Sequence, residues 1–261
     1  MSSQTTSSRI DNTPWLACPK PNPRAGLRLF CFPYAGGTAT IFHQWQSDLP
    51  PSVEVCPVQL PGRGKRMQEK PFTDLFSLVE ATATALRPFL DKPFAFFGHS
   101  MGGLISFELA RHLRRERAPA PTRLFISGRR APQVESESAP THDLPESEFV
   151  EEVRKLAGTP AEVLEHPELR HLMLPLLRAD FSVCETYRYT AEPPLDCPIS
   201  VFGGLYDRDV QRKHLEPWGG QTTRPVTVRM LPGDHFFINT QQPLLMRVLG
   251  QELHQLASFV S

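Results

Sequence analysis

The sequence has 261 residues, 40% of them hydrophobic and 21% charged, and its 28 Lys and Arg balance 28 Asp and Glu. That balance excludes a general electrostatic demand for nucleic acid or an anionic membrane, and no apolar run approaches the roughly 18 residues that span a bilayer. One α/β domain carrying an insertion accommodates the length.

Met1 to Asn12 is rich in Ser and Thr and lacks the apolar core of a secretory signal. Residues 1–25 therefore read as a disordered tail on a cytoplasmic protein. The five cysteines, Cys18, Cys31, Cys56, Cys184 and Cys197, are odd in number and scattered, without C-x-x-C spacing or metal-like pairing with His. They read as reduced thiols, and no metal or other cofactor is expected.

Leu27–Phe32 and Val53–Val58 are apolar runs bounded by Pro or Gly, the pattern of buried strands. Asp74–Leu90 carries apolar residues at helical spacing, with Thr73 placed to cap it. Phe94–Phe97 then reads as a strand, Met101–Glu116 as a helix and Arg123–Ser127 as a strand. This alternation predicts a mostly parallel sheet with helices on both faces.

After Ser127 the pattern changes. Gly128–Pro145 is polar and loop-like, and helical segments follow near Glu146–Ala157, Pro160–Glu165 and Pro167–Tyr189. Strands resume at Ile199–Phe202 and Val226–Leu231, and Pro243–Phe259 reads as a closing helix. The helical stretch thus looks like an insertion into one sheet.

The sharpest local signal is Gly98-His99-Ser100-Met101-Gly102, a G-x-S-x-G placed between a strand and a helix. In that context the serine sits on a strained turn, and the flanking glycines let strand and helix approach closely. A serine hydroxyl is a weak nucleophile at neutral pH, so the reading requires a histidine base and an acid that orients it, in the chain order Ser, acid, His. His235, in the loop after Val226–Leu231, stands where open α/β sheets place their sites. His43, His112, His142, His166, His171, His214 and His254 fall on helices or polar loops, and His99 supports the turn. Asp207 and Asp209 share the loop after Ile199–Phe202, and either is a candidate acid. A developing oxyanion needs two backbone donors. Met101, after the nucleophile, supplies one, and the Gly-rich loop Phe32-Pro33-Tyr34-Ala35-Gly36-Gly37 supplies the other. No G-x-G-x-x-G or Gly-Lys-Ser/Thr string is present to cradle phosphates.

These pieces resemble the type II thioesterases, the stand-alone editing enzymes of polyketide and nonribosomal peptide synthases. The resemblance runs from about Leu27 to the C-terminus. Besides the Ser100 elbow and the Phe32–Gly37 loop, it rests on Gln59-Leu60-Pro61-Gly62-Arg63, Ser127-Gly128-Arg129-Arg130-Ala131-Pro132, Leu174-Pro175 with Leu177-Arg178-Ala179-Asp180, Cys184-Glu185-Thr186-Tyr187, and Pro232-Gly233-Asp234-His235-Phe236-Phe237. It departs from the family at Arg208, where Pro often follows the acid, and at Gly103, where Ala is frequent.

The resemblance implies an α/β-hydrolase fold, with residues 26–127 and 193–261 as core and 128–192 as a helical lid. It implies Ser100, Asp207 and His235 as a triad and the amides of Ala35 and Met101 as the oxyanion hole. The implied reaction is hydrolysis of acyl thioesters on the phosphopantetheine arm of an acyl or peptidyl carrier protein. A carboxylesterase or lipase acting on small oxoesters is the alternative, and acyl transfer or cyclisation is disfavoured. Leu172, Met173, Leu176, Leu177 and Phe181 either line an acyl channel or pack the lid on the core. The Arg111, Arg114, Arg115, Arg117 cluster and Gly62–Arg66 offer a docking surface for an acidic carrier, against the simpler reading of a solvated helix face.

Overall fold

In the computed structural model, six strands form one sheet in the order β2–β1–β3–β4–β5–β6, with every neighbouring pair parallel. The structure describes residues 13–17, 21–22, 24–156, 158 and 161–260. The strands are β1 (Leu27–Phe32), β2 (Val53–Pro57), β3 (Phe94–His99), β4 (Leu124–Ser127), β5 (Ile199–Gly204) and β6 (Val226–Leu231). The first five are buried along their whole length, and β6, at the edge, is only partly so.

Side chains alternate across a strand, which divides β1 between two cores. Phe30 and Phe32 join Phe94, Phe96 and the helices α1 (Leu75–Leu86) and α2 (Met101–Arg115) on one face. Leu27, Leu29 and Cys31 join Phe97, Phe42, Trp45 and the closing helix α6 (Gln242–Val260) on the other. Covering both faces is what makes these strands continuous apolar runs rather than alternating ones. Trp45 and Phe97 meet edge-on at 4.8 Å, and each large ring so buried contributes about 1.5–3 kcal/mol relative to exposure.

Between β4 and β5 the chain forms α3 (Glu146–Leu156), α4 (Ala161–Glu165) and α5 (Pro167–Glu185). Phe149, Val150, Val153, Leu164, Leu174 and Leu177 give these helices a small core of their own.

Several boundaries differ from the sequence expectation. Asp74, not Thr73, caps α1: its carboxylate accepts from the Ser77 amide at 2.8 Å. The same helix stops at Leu86 and tightens into a 3-10 turn over Arg87–Phe89, since Pro88 has no N–H to continue the ladder. α5 ends at Glu185, not Tyr189. Met1–Asn12 lies outside the described residues, but the expected 1–25 tail is too long. Leu16 is buried and bridges antiparallel to Val58, and the Arg66 guanidinium stacks on Trp15 at 4.1 Å. Burying Leu16 and covering Trp15 offsets the entropy lost in ordering residues 13–17.

The connection after β1 leads to β2 on one side, and the chain then returns to place β3 on the other. The carboxyl ends of β1 and β3 therefore open a crevice at the topological switch point, where open α/β sheets hold ligands.

Candidate active site

Ser100 occupies that crevice at the turn from β3 into α2. Its φ of 53° and ψ of −113° lie in a region L-residues rarely adopt, a strain of about 1–3 kcal/mol that surrounding contacts must impose. They do so from the backbone. The Ser100 amide donates to Ser127 O at 2.8 Å and its carbonyl accepts from Gly103 N at 3.0 Å. A Cβ on Gly98 would lie 2.0 Å from Gly102 O, and one on Gly102 would lie 2.1 Å from Phe32 O. The second contact also shows how tightly the loop after β1 is pressed onto the elbow.

That loop closes as a turn, with Gly37 N donating to Tyr34 O at 2.9 Å and Gly36 at φ +75°. Among the described residues, neither the Ala35 nor the Met101 amide donates to a protein acceptor. Both expected oxyanion donors are thus unspent, on segments in direct contact.

At the other side of the crevice the ends of β5 and β6 are locked together. Leu205 N donates to Leu231 O at 2.8 Å and Tyr206 N to Gly233 O at 2.9 Å, and a Cβ on Gly204 would lie 2.3 Å from Asp234 O. This approach brings Asp207 to His235, with Oδ2 and Nδ1 2.7 Å apart. The second carboxylate oxygen accepts from the amides of Asp209 and Val210, both at 2.9 Å. Burial works to raise the Asp207 pKa, but the hydrogen bond and charge of His235 together with the two amides outweigh it and hold the carboxyl below its usual range. Asp209 is exposed and contributes only its amide to this arrangement. A carboxylate is acceptor-only, so the proton shared with Asp207 sits on Nδ1 and leaves Nε2 as the basic nitrogen.

His235 stands beside the elbow through His99, ring centroids 5.3 Å apart. Ser100 Oγ has no hydrogen-bond partner among the described residues. His99 is fully buried, its Nδ1 is 2.9 Å from Ser127 Oγ, and Tyr34, Phe236 and Phe237 pack around its ring. Burial first, and the charge of His235 second, push its pKa well below the ordinary imidazole value.

Sequence reading missed one feature beside this site. Arg63 and Asp180, both buried, form a two-pronged ion pair (Nη1–Oδ2 2.8 Å, Nη2–Oδ1 2.7 Å), and Asp180 Oδ2 also accepts from Gly36 N at 2.7 Å. The available signal was a lone acid on an apolar helix stretch, Leu174–Phe181. Of the residues weighed as channel or packing, Leu177 joins the small core of the inserted helices and Phe181 stacks edge-on against Phe149 at 5.4 Å, Leu176 is buried with its Cδ1 3.3 Å from where a Gly62 Cβ would lie, and Leu172 is exposed. Within the Arg111–Arg117 cluster, Arg111 pairs with Glu108 and Glu192, and Arg114 and Arg115 pair with Glu192.

The thioesterase domain family model matches residues 27–253. The gramicidin S biosynthesis protein GrsT of Aneurinibacillus migulanus is 49% identical over 92% of this chain and 93% of its own. The linear gramicidin dehydrogenase LgrE of Brevibacillus parabrevis is 44% identical over 94% and 95%; its name denotes an activity whose dinucleotide fingerprint this sequence lacks. The solved type II thioesterase BorB from the borrelidin biosynthetic cluster superposes with a TM-score of 0.83 at 34% identity, covering 92% of this chain and 97% of that one. The expected α/β-hydrolase-type fold and the type II resemblance are thereby borne out. The chain belongs to the thioesterase family.

Proposed function

We propose that this enzyme hydrolyses acyl thioesters carried on the phosphopantetheine arm of an acyl or peptidyl carrier protein, using Ser100 as nucleophile, His235 as base and Asp207 as the acid that orients it. The observation that carries the reading is the 2.7 Å contact of Asp207 with His235 Nδ1 beside the strained Ser100 elbow.

Ser100 Oγ attacks the thioester carbonyl as His235 Nε2 takes its proton. The tetrahedral oxyanion is received by the amides of Ala35 and Met101, donors worth about 10²–10³ in rate apiece when preorganised. The C–S bond breaks, and the departing thiolate takes the proton from His235 Nε2, so that a thiol leaves and the imidazole is neutral again. A thiolate needs less proton donation than an amine, which suits a histidine with one well-held partner. Water, deprotonated by the same nitrogen, then hydrolyses the acyl-enzyme and returns Ser100. Asp207 fixes the tautomer and stabilises the transient imidazolium.

Residues 128–192 serve as the lid over the crevice. The carrier belongs to a polyketide or nonribosomal peptide synthase, consistent with the gramicidin and borrelidin settings of the relatives, and removal of stalled or wrongly primed acyl groups is the service rendered. A cytoplasmic location fits this partner, and among the described residues no helix is long and apolar enough to cross a membrane.

The test is release of short acyl groups from a phosphopantetheinylated carrier against the same groups as oxoesters. Preference for the carrier thioester, with Ser100→Ala lowering turnover at least about 10³-fold, is the expected result. Oxoester preference would replace the substrate class, and an active Ser100→Ala would remove the nucleophile.

A further inference from the structure

The Arg63–Asp180 pair lies beside the proposed oxyanion donors and joins three segments far apart in sequence. Arg63 follows β2, Asp180 lies on α5, and Gly36 and Gly37 form the loop after β1. Asp180 is 2% exposed and Arg63 4%. If the pair served only to anchor α5 on the sheet, its two mutual hydrogen bonds would suffice. It does more: Asp180 Oδ2 accepts from Gly36 N at 2.7 Å, and Arg63 Nη1 donates to Gly37 O at 3.2 Å.

Peptide planarity gives these contacts a consequence for Ala35. The Tyr34 carbonyl and the Ala35 N–H belong to one rigid trans peptide and point in opposite directions. Gly37 N holds that carbonyl from inside the turn at 2.9 Å, which turns the Ala35 N–H outward. The next peptide carries the Gly36 N–H and is held by Asp180. Both peptide planes flanking Ala35 are therefore fixed, one by the turn itself and the other by a carboxylate that Arg63 orients. Without that hold, Gly36, at φ +75° and with no side chain, is the residue around which the loop would most readily rotate. Leu177 closes the same spot, with its Cδ2 2.7 Å from where a Gly36 Cβ would be.

We infer that Asp180, held by Arg63, is a positioning residue that fixes the Ala35 amide in the oxyanion hole, an inference that rests on the active site proposed above. Stabilisation of an oxyanion depends on donors already in place, and an error of about 1 Å can cost about 10²-fold. The pair therefore acts on the transition state and not on the ground-state thioester.

The decisive variant is the double substitution Arg63→Met/Asp180→Leu in the full chain. Buried ion pairs replaced by apolar residues of similar size commonly keep the fold, yet this variant has no acceptor for Gly36 N. With an acyl N-acetylcysteamine thioester as substrate, kcat should fall by about 10²-fold while KM stays within about 3-fold, and affinity for a trifluoromethyl ketone analogue, whose adduct bears an oxyanion, should fall in step with kcat/KM. A variant that melts like wild type and keeps kcat within about 3-fold overturns the inference. Should the double variant fail to fold, Asp180→Ala decides: its methyl leaves Gly36 N without an acceptor, and an unchanged kcat overturns the inference equally. Ser100→Ala in the same assay separates the two levels. If it is inactive while the double variant is fully active, only the positioning role fails; if it is active, the underlying site reading fails with it.

Discussion

Asp207 and Asp209 sit two positions apart on one short loop, and only the fold tells them apart. Asp207 is buried, with three hydrogen bonds to its carboxylate, whereas Asp209 is exposed and lends only its amide. Asp207→Asn keeps the volume but presents a neutral group to Nδ1, favouring the wrong tautomer, and should lower kcat by about 10⁴-fold, while Asp209→Asn stays within a few-fold; steady-state turnover of one thioester substrate measures both. His99 provides a second test at this scale, through pH. Its folded pKa is depressed by burial and by His235, so below the ordinary imidazole range the unfolded chain takes up a proton that the native chain does not. Stability is fully present above about pH 7 and declines as pH falls, by up to about 1.4 kcal/mol per pH unit from this one group, until the folded pKa is reached. Urea denaturation at several pH values should show a shallower decline for His99→Gln than for wild type. Parallel curves would mean that His99 is charged in the fold.

At the scale of elements, the β3–α2 elbow is held by main-chain atoms, which do not move aside as a flexible side chain can. Gly102→Ala would force a methyl against Phe32 O and separate the loop bearing Ala35 from the helix bearing Met101. The expected cost exceeds the roughly 1–3 kcal/mol of ordinary overpacking, a fall in melting temperature of at least about 6 °C. Gly219→Ala, with no atom within 4 Å of the new methyl, should change it by no more than about 2 °C. The elbow was legible in the sequence because its signature is local: an apolar strand, a serine and two glycines within the nine residues Phe94–Gly102. So were the strands, since burial on both faces leaves an unbroken apolar run. The segments Gln59–Arg63 and Leu174–Asp180 stood out as patterns without a reason, because their reason is a pair 117 residues apart. Periodicity reports whether a residue is buried and not what it meets. The cap of α1 was misread by one position for a related cause: Thr73 and Asp74 are both good caps, and only the backbone shows which carboxylate or hydroxyl reaches Ser77 N.

For the whole molecule, parallel strands divide the surface into two unequal ends. Ser100, Asp207, His235 and the Ala35 loop all lie at the carboxyl edge of the sheet, as the crossover order requires. α2 starts just after Ser100 and runs back for 15 residues, about 22 Å, so Arg114 and Arg115 at its end lie towards the opposite edge. Those arginines also share Glu192 as a partner at 2.6 and 2.7 Å, with Arg111 at 2.8 Å, which spends much of the positive field that the sequence suggested. A carrier delivering its thioester to Ser100 has to dock near the carboxyl edge, so this helix end is a poor place for it. Reversing both charges, as Arg114→Glu/Arg115→Glu, should therefore leave KM for a carrier-bound acyl group within about 2-fold of wild type. The cost should appear in stability instead, modestly, because these pairs are partly solvated and each is worth no more than about 1 kcal/mol. A KM raised more than about 5-fold for the carrier substrate, with KM for the free N-acetylcysteamine thioester unchanged, would put the docking surface on α2 after all and require the arm to reach around the sheet.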